Sequence, residues 1–205
     1  MPWPLVEPRM RFVWGLAAFG LLGVVQTLCF DQVPSVWLPW IVWAPLIWLS
    51  VLSTWSLRRR LLVAWFCGTV FWSINVGWIA HTIGFHGGLG SALGFGLLML
   101  LALYMGLYWT AFVGIGSWAF KRRRDCADAL SAGYAVRTAA GLAGLWVLLE
   151  IVREWMFTGF PWSPLGEALV RTPGALDASA WLGVRGLSFT VLVICLLYTS
   201  DAADE

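Results

Sequence analysis

The stretch LGSALGFGLLMLLALYMGLYWTAFVGIGSWAFKRRR, Leu89–Arg124, decides the fold class. From Leu89 to Phe120 it holds no charged side chain, and four basic residues then follow without a gap, Lys121 to Arg124. A helix of about 20 apolar residues crosses the hydrocarbon layer of a bilayer. A longer run reads as a transmembrane helix that tilts or projects beyond the lipid. The basic cluster at its end reads as a stop-transfer and topology signal.

Outward from this stretch the same pattern repeats. Apolar runs of spanning or near-spanning length lie at about Phe12–Phe30, Val36–Trp55, Leu61–Ile83 and Ala139–Phe157. A sixth begins near Gly186 and ends at Tyr198, about half the length a span needs. The expectation is an all-α, polytopic transmembrane helix bundle of about five complete spans plus a truncated sixth.

Composition points the same way. Of 205 residues, 60% are hydrophobic and 12% charged, against about 25% charged in soluble domains. Mean hydropathy is +0.79, and the sixteen tryptophans suit membrane–water interfaces. A net charge of +2 is too small to suggest nucleic acid as a partner, and none is expected. The four cysteines, Cys29, Cys67, Cys126 and Cys195, are scattered and form neither a disulfide framework nor a zinc motif.

Ten of the thirteen basic residues fall on alternate connections: Arg9 and Arg11; Arg58, Arg59 and Arg60; Lys121 to Arg124 with Arg137. The connections Asp31–Ser35 and Gly84–Gly88 carry none. The positive-inside rule then sets the N-terminus in the cytoplasm and Gly159–Gly183 on the periplasmic side.

Ionisable residues within a span are costly and turn toward the bundle or an aqueous interface. Glu150, Arg153 and Glu154 fall on one face at the end of the fifth run, and two readings stay open. In the favoured one they are structural intramembrane charges, with Arg153 paired to Glu150 one turn back. In the other they line a cavity that meets a lipid headgroup. The turn Phe160–Pro161–Trp162 just beyond reads as an interfacial or re-entrant segment. Asn75 reads as an interhelical hydrogen-bond partner, and Gly68, Gly77, Gly94 and Gly96 as sites of close helix packing. His81 and His86, five residues apart, do not share a face of an α-helix, so no metal site is expected. No cofactor motif and no catalytic constellation is present.

The segment WVLLEIVREWMFTGFPWSPLG, Trp146–Gly166, resembles the signature of apolipoprotein N-acyltransferases: Glu-x-x-Arg ending a span, then Thr-Gly-Phe-Pro-Trp, then a glycine. The matching positions are Glu150, Arg153, Thr158, Gly159, Phe160, Pro161, Trp162 and Gly166. Weaker similarities occur in order at Ala44–Leu49, Trp78–Ile79, Gly87–Gly88, Leu101–Tyr104 and Gly183–Phe189. Glu167 and Arg185 stand where the family usually has aromatic residues.

The resemblance implies a bacterial inner-membrane, multi-pass protein of lipoprotein biosynthesis. Such an enzyme moves an acyl chain from phospholipid to the N-terminal diacylglyceryl-cysteine of lipoproteins, through a cysteine thioester in a nitrilase-like domain. The family's catalytic Glu, Lys and Cys match no position here, so that domain is expected to be absent and the chain inactive alone. Phe160, Pro161 and Trp162 become the candidates that face lipid or substrate. Residues 1–194 are expected to be the transmembrane domain; CLLYTSDAADE, Cys195–Glu205, resembles a translated sequencing-library adaptor and is expected to be foreign. The alternatives are a transporter or channel and a non-catalytic membrane scaffold.

Overall fold

The computed structural model describes residues 8–30, 36–51, 53–121, 132–157 and 159–204. The connection Asp31–Ser35, the basic residues Arg122 to Arg124, Cys126 and Thr158 lie outside the described residues. Every regular element among the described residues is helical. In order these are α1 (Pro8–Thr27), α2 (Leu38–Ile41), α3 (Ala44–Val51), α4 (Leu57–Asn75) and α5 (Trp78–His81). A π-helical turn (Thr82–His86), α6 (Ser91–Lys121), α7 (Ala132–Trp155), a 3-10 turn (Leu165–Leu169) and α8 (Ala175–Asp204) follow.

Three helical segments are long and apolar enough to cross a membrane: Ser91–Ala119, Ala135–Trp155 and Ala175–Tyr198. The 31 residues of α6 span about 46 Å at 1.5 Å per residue, so the deciding stretch forms one uninterrupted helix longer than the hydrocarbon layer.

The all-α membrane bundle is as expected, and four of the expected runs differ in bounds or shape. The first expected run, Phe12–Phe30, stops as a helix at Thr27, and its apolar part is shorter than a span. The second, Val36–Trp55, becomes two short helices, α2 and α3, that together run only from Leu38 to Val51. Pro39 opens α2 and Pro45 lies in the first turn of α3, where the absent N–H is tolerated but an incoming helix cannot pass through. The third, Leu61–Ile83, breaks after Asn75, and the two parts differ in direction by 54°. Val76 leaves helical geometry at φ −113°, ψ 23°, ahead of Gly77, a poor helix residue. The sixth is neither as short as expected nor broken at Tyr198: helix starts at Ala175, departs from helical angles at Gly183 (φ 66°, ψ 172°), and continues to Asp204.

The chain divides into two compact units. The first holds Met1–Thr27 and Trp55–Thr110. Within it α1 packs along α4, and α4 packs on the first part of α6. A Cβ on Gly68 would sit 3.1 Å from the Gly106 Cα, so the two backbones approach as small residues allow. The Trp65 indole N–H donates to the Leu103 carbonyl at 3.0 Å, and Phe71 lies against Trp72 and Trp109. Gly94 sits against the backbone of Ala80 as expected, but Gly96 faces open space and Gly77 meets only the preceding turn of its own chain.

The second unit holds Leu28–Thr54 and Ala111–Glu205. Its centre is Trp146, edge-on to Trp43 and Phe112 with ring centres 5.1 and 5.2 Å away. Ser117 donates to the Ser50 carbonyl at 3.0 Å, tying α6 to the end of α3. The Cys195 thiol reaches the Trp40 carbonyl at 2.6 Å. Helix α7 packs along α8, and the 3-10 turn lies against α8.

Candidate functional site

The last three turns of α7 carry Trp146, Glu150, Arg153 and Glu154. Glu150 is 4% exposed and Arg153 6%, so both charges are withdrawn from the surface and require partners. One carboxylate oxygen, Glu150 Oε1, accepts two hydrogen bonds: the Trp146 indole N–H at 2.8 Å and the Leu165 backbone N–H at 2.7 Å. The Arg153 guanidinium donates through Nη2 to the Trp162 carbonyl at 2.9 Å, and its own carbonyl accepts the Phe160 N–H at 3.1 Å. One helical turn thus holds both ends of the return segment Phe160–Leu165.

That segment follows an abrupt exit from α7. Phe157 (φ 56°), Gly159 (φ 78°) and Ser163 (φ 51°) all take left-handed angles. For the two non-glycine residues this conformation costs about 1 kcal/mol or more each and persists only because surrounding contacts impose it. Gly159 meets both conditions for a glycine: its φ is positive, and a Cβ there would collide with the Glu154 carbonyl. Beyond Pro164 the chain enters the 3-10 turn, whose Leu165, Gly166, Ala168 and Leu169 are buried. The Gly166 N–H donates to the Ser188 hydroxyl of α8 at 2.8 Å, and no side chain fits at Gly166 because Val184 O occupies the space.

The expected pairing of Arg153 with Glu150 takes a different form. The Arg153 charge acts on the Glu150 carboxylate, as does the Ser188 hydroxyl, but the close hydrogen bonds of Glu150 Oε1 go to Trp146 and Leu165. Buried backbone groups of the return segment need partners, and the two side chains supply them. Glu154 forms an ion pair with Arg185 of α8, half-exposed at that end. Glu167 is exposed on the 3-10 turn. Partial burial pushes its carboxyl up from the usual value, the Arg153 charge pulls it down, and the Glu150 charge adds to the rise.

Of the expected lipid-facing residues, Pro161 is exposed and Trp162 is 48% exposed, while Phe160 lies half-buried with its ring 5.2 Å from that of Trp162. The sequence reading passed over Trp155, Phe157 and Trp181, which are more exposed; Trp181 reaches 92%. For Trp155 and Phe157 their place at the end of α7 was the available signal; Trp181 lies within α8, two residues before the break at Gly183. The rings of His81 and His86 meet, although five-residue spacing on an α-helix separates side chains. The π-helical turn closes a hydrogen bond from Gly87 N–H to Thr82 O, five residues back, and brings the two rings to 5.7 Å between centres.

Comparison with known proteins bears on this corner directly. The family described as apolipoprotein N-acyltransferase N-terminal domain matches residues 22–197, which include the whole of it. The chain is similar to the apolipoprotein N-acyltransferase of Pasteurella multocida, 26% identical over 88% of this chain and 31% of the relative. It is 27% identical to that of Vibrio cholerae over 90% of this chain and 34% of the relative. It is 30% identical to that of Coxiella burnetii over 90% of this chain and 36% of the relative. The chain spans about a third of the length of these curated relatives. Over residues 22–197 the chain belongs to the apolipoprotein N-acyltransferase family and corresponds to its N-terminal domain.

Proposed function

We propose that this chain is the membrane platform of an apolipoprotein N-acyltransferase, the enzyme that moves an acyl chain from phospholipid to the N-terminal diacylglyceryl-cysteine of lipoproteins. The observation that carries the reading is the braced return segment. Glu150 and Arg153 hold the backbone of Phe160–Leu165 while Pro161 and Trp162 project from it. A rigid turn with an outward indole at the end of a spanning helix suits the depth at which phospholipid acyl chains meet their headgroups. In this role Phe160, Pro161 and Trp162 position lipid chains, and Glu150, Arg153 and Glu154 support the corner. The acyl-transfer chemistry, a cysteine thioester with a glutamate base and a lysine, is carried by residues outside this chain. The basic connections face the cytoplasm, and the corner from Gly159 to Gly183 faces the periplasm of the inner membrane.

The test uses a bacterial strain whose own N-acyltransferase is under regulated expression. During depletion, mass spectrometry of lipoprotein N-termini reads the third acyl chain. The full-length gene product restores it; residues 1–205 alone do not. A full-length product carrying Trp162→Ala that accumulates normally transfers more slowly. Restoration by residues 1–205 alone, or full activity of the Trp162→Ala protein, overturns the proposed division of labour.

A further inference from the structure

Outside the α7 corner, the chain's only two histidines are held together by an uncommon piece of backbone. The π-helical turn Thr82–His86 aligns residues five apart, as the Gly87-to-Thr82 hydrogen bond of 3.0 Å shows. Turns of this kind are rare and recur at functional sites. His81 and His86 are both exposed, with ring planes at 90° and centres 5.7 Å apart. Phe85 stacks on His81 at 5.3 Å with planes 8° apart, and its ring stands edge-on to His86. The aromatic contact restrains the His81 ring before any ligand arrives.

The ring spacing is one that two imidazoles on a single metal ion can take, and it also lies in the range of edge-to-face ring packing. A metal about 2.0–2.1 Å from an imidazole nitrogen lies about 3.2 Å from the ring centre. Two rings sharing one ion then have centres about 4.5 Å apart at a right-angled N–metal–N angle, about 5.2 Å at the tetrahedral angle and about 6.4 Å when linear. The observed 5.7 Å corresponds to an angle of about 125°. Among the described residues no group of three His, Cys, Asp or Glu could hold an ion, so an ion shared by the two imidazoles takes its remaining ligands from outside these side chains.

We propose that His81 and His86 form a two-histidine, water-completed site for a first-row divalent cation. Imidazole nitrogens suit Zn2+, Ni2+ and Cu2+, and Cu2+ binds tightest in that series. With two protein ligands and open exposure the site exchanges its ion readily, unlike a closed four-ligand structural site. Bound metal clamps the π-helical turn and so stabilises the connection between α5 and α6.

The experiment titrates Cu2+ into the purified full chain, free of affinity-tag histidines, in detergent micelles, and follows binding by electron paramagnetic resonance. The expected result is one Cu2+ per chain with a two-nitrogen hyperfine pattern. His81→Ala and His86→Ala each reduce the pattern to one nitrogen and weaken binding about tenfold or more. Circular dichroism verifies that both variants keep their helix content. Zn2+ raises the thermal midpoint of the unsubstituted chain and of neither variant. A two-nitrogen signal that survives either substitution, or its absence from the unsubstituted chain, overturns the proposal.

Discussion

The carboxylate of Glu150 accepts the backbone N–H of Leu165 at 2.7 Å, although fifteen residues and a change of direction separate the two along the chain. The oxygen that does so, Oε1, also takes the Trp146 indole N–H. Loss of an acceptor strands two donors, one of them in backbone, in a region closed to water. Leaving a buried donor unsatisfied costs about 1–3 kcal/mol. Glu150→Ala is therefore expected to destabilise the chain by about 2–4 kcal/mol in detergent. Glu150→Gln retains an acceptor oxygen for the two donors and so loses less than Glu150→Ala, although both variants leave the buried Arg153 charge without its counterpart. A thermal or denaturant unfolding series checks both; equal losses would contradict the hydrogen-bond account.

Two arginines at this corner should behave differently. Arg153 is buried and holds the Trp162 carbonyl beside the Glu150 carboxylate, whereas Arg185 is half-exposed and meets Glu154 near the surface. Removing one charge from a buried set leaves its counterpart uncompensated, at about 3–5 kcal/mol, while an exposed ion pair contributes about 1 kcal/mol or less. Arg153→Leu should therefore lower stability several times more than Arg185→Leu. Hydrogen exchange is the second readout, with the amides of Phe160 and Leu165 losing protection in the Arg153 variant alone. Unchanged folding together with lost lipid binding on Arg153→Leu would favour the headgroup-cavity reading instead.

Gly166 and Gly144 make a paired test of packing. A methyl at Gly166 would collide with the Val184 carbonyl, but one at Gly144 meets nothing within 4 Å. Gly166→Ala is expected to cost about 1–3 kcal/mol through forced separation of the 3-10 turn and α8. Gly144→Ala, in the middle of α7, should instead stabilise by about 0.5–1 kcal/mol. Unfolding midpoints of the two variants should move in opposite directions.

Glu167 sets a pH dependence of known sign. Its carboxyl is raised in the folded chain, chiefly by burial, with Arg153 opposing and Glu150 adding to the shift. The folded state then binds more protons than the unfolded one just above the ordinary value of 4.5. The associated stability is complete below that value and is lost as pH rises through the folded one. A Glu167→Gln variant should lose this slope, so the difference in thermal midpoint between it and the parent grows with pH across that window. A parallel pair of curves would show that Glu167 is not the group responsible.

The residues differ in how far local pattern revealed their part. Helix α6 was legible almost to the residue, because an unbroken apolar run ending in basic residues has one low-energy arrangement in lipid. The end of α7 was legible as a charged turn followed by an aromatic one. The assignment of partners there was not: Leu165, Trp162, Ser188 and Arg185 are brought in by chain reversal. The break after Asn75 was hidden because the flanking residues are apolar and hydropathy continues through the bend. The nearness of the two histidines was not legible, because i to i+5 spacing separates side chains on an α-helix whereas a π-helical turn rotates the second ring back toward the first.

The sequence by itself determined that the chain is helical and apolar and where two of the three helices long enough to span lie, since burial in lipid depends on the composition of contiguous segments. It also carried the Glu150–Gly166 signature by which the family is recognised. Only the tertiary structure decided what that signature does: Glu150 and Arg153 bind the backbone of a return segment whose angles at Phe157 and Ser163 need external support. A hydrogen bond between residues far apart in the chain has no counterpart in local periodicity, because the partner is selected by packing after the helices have formed.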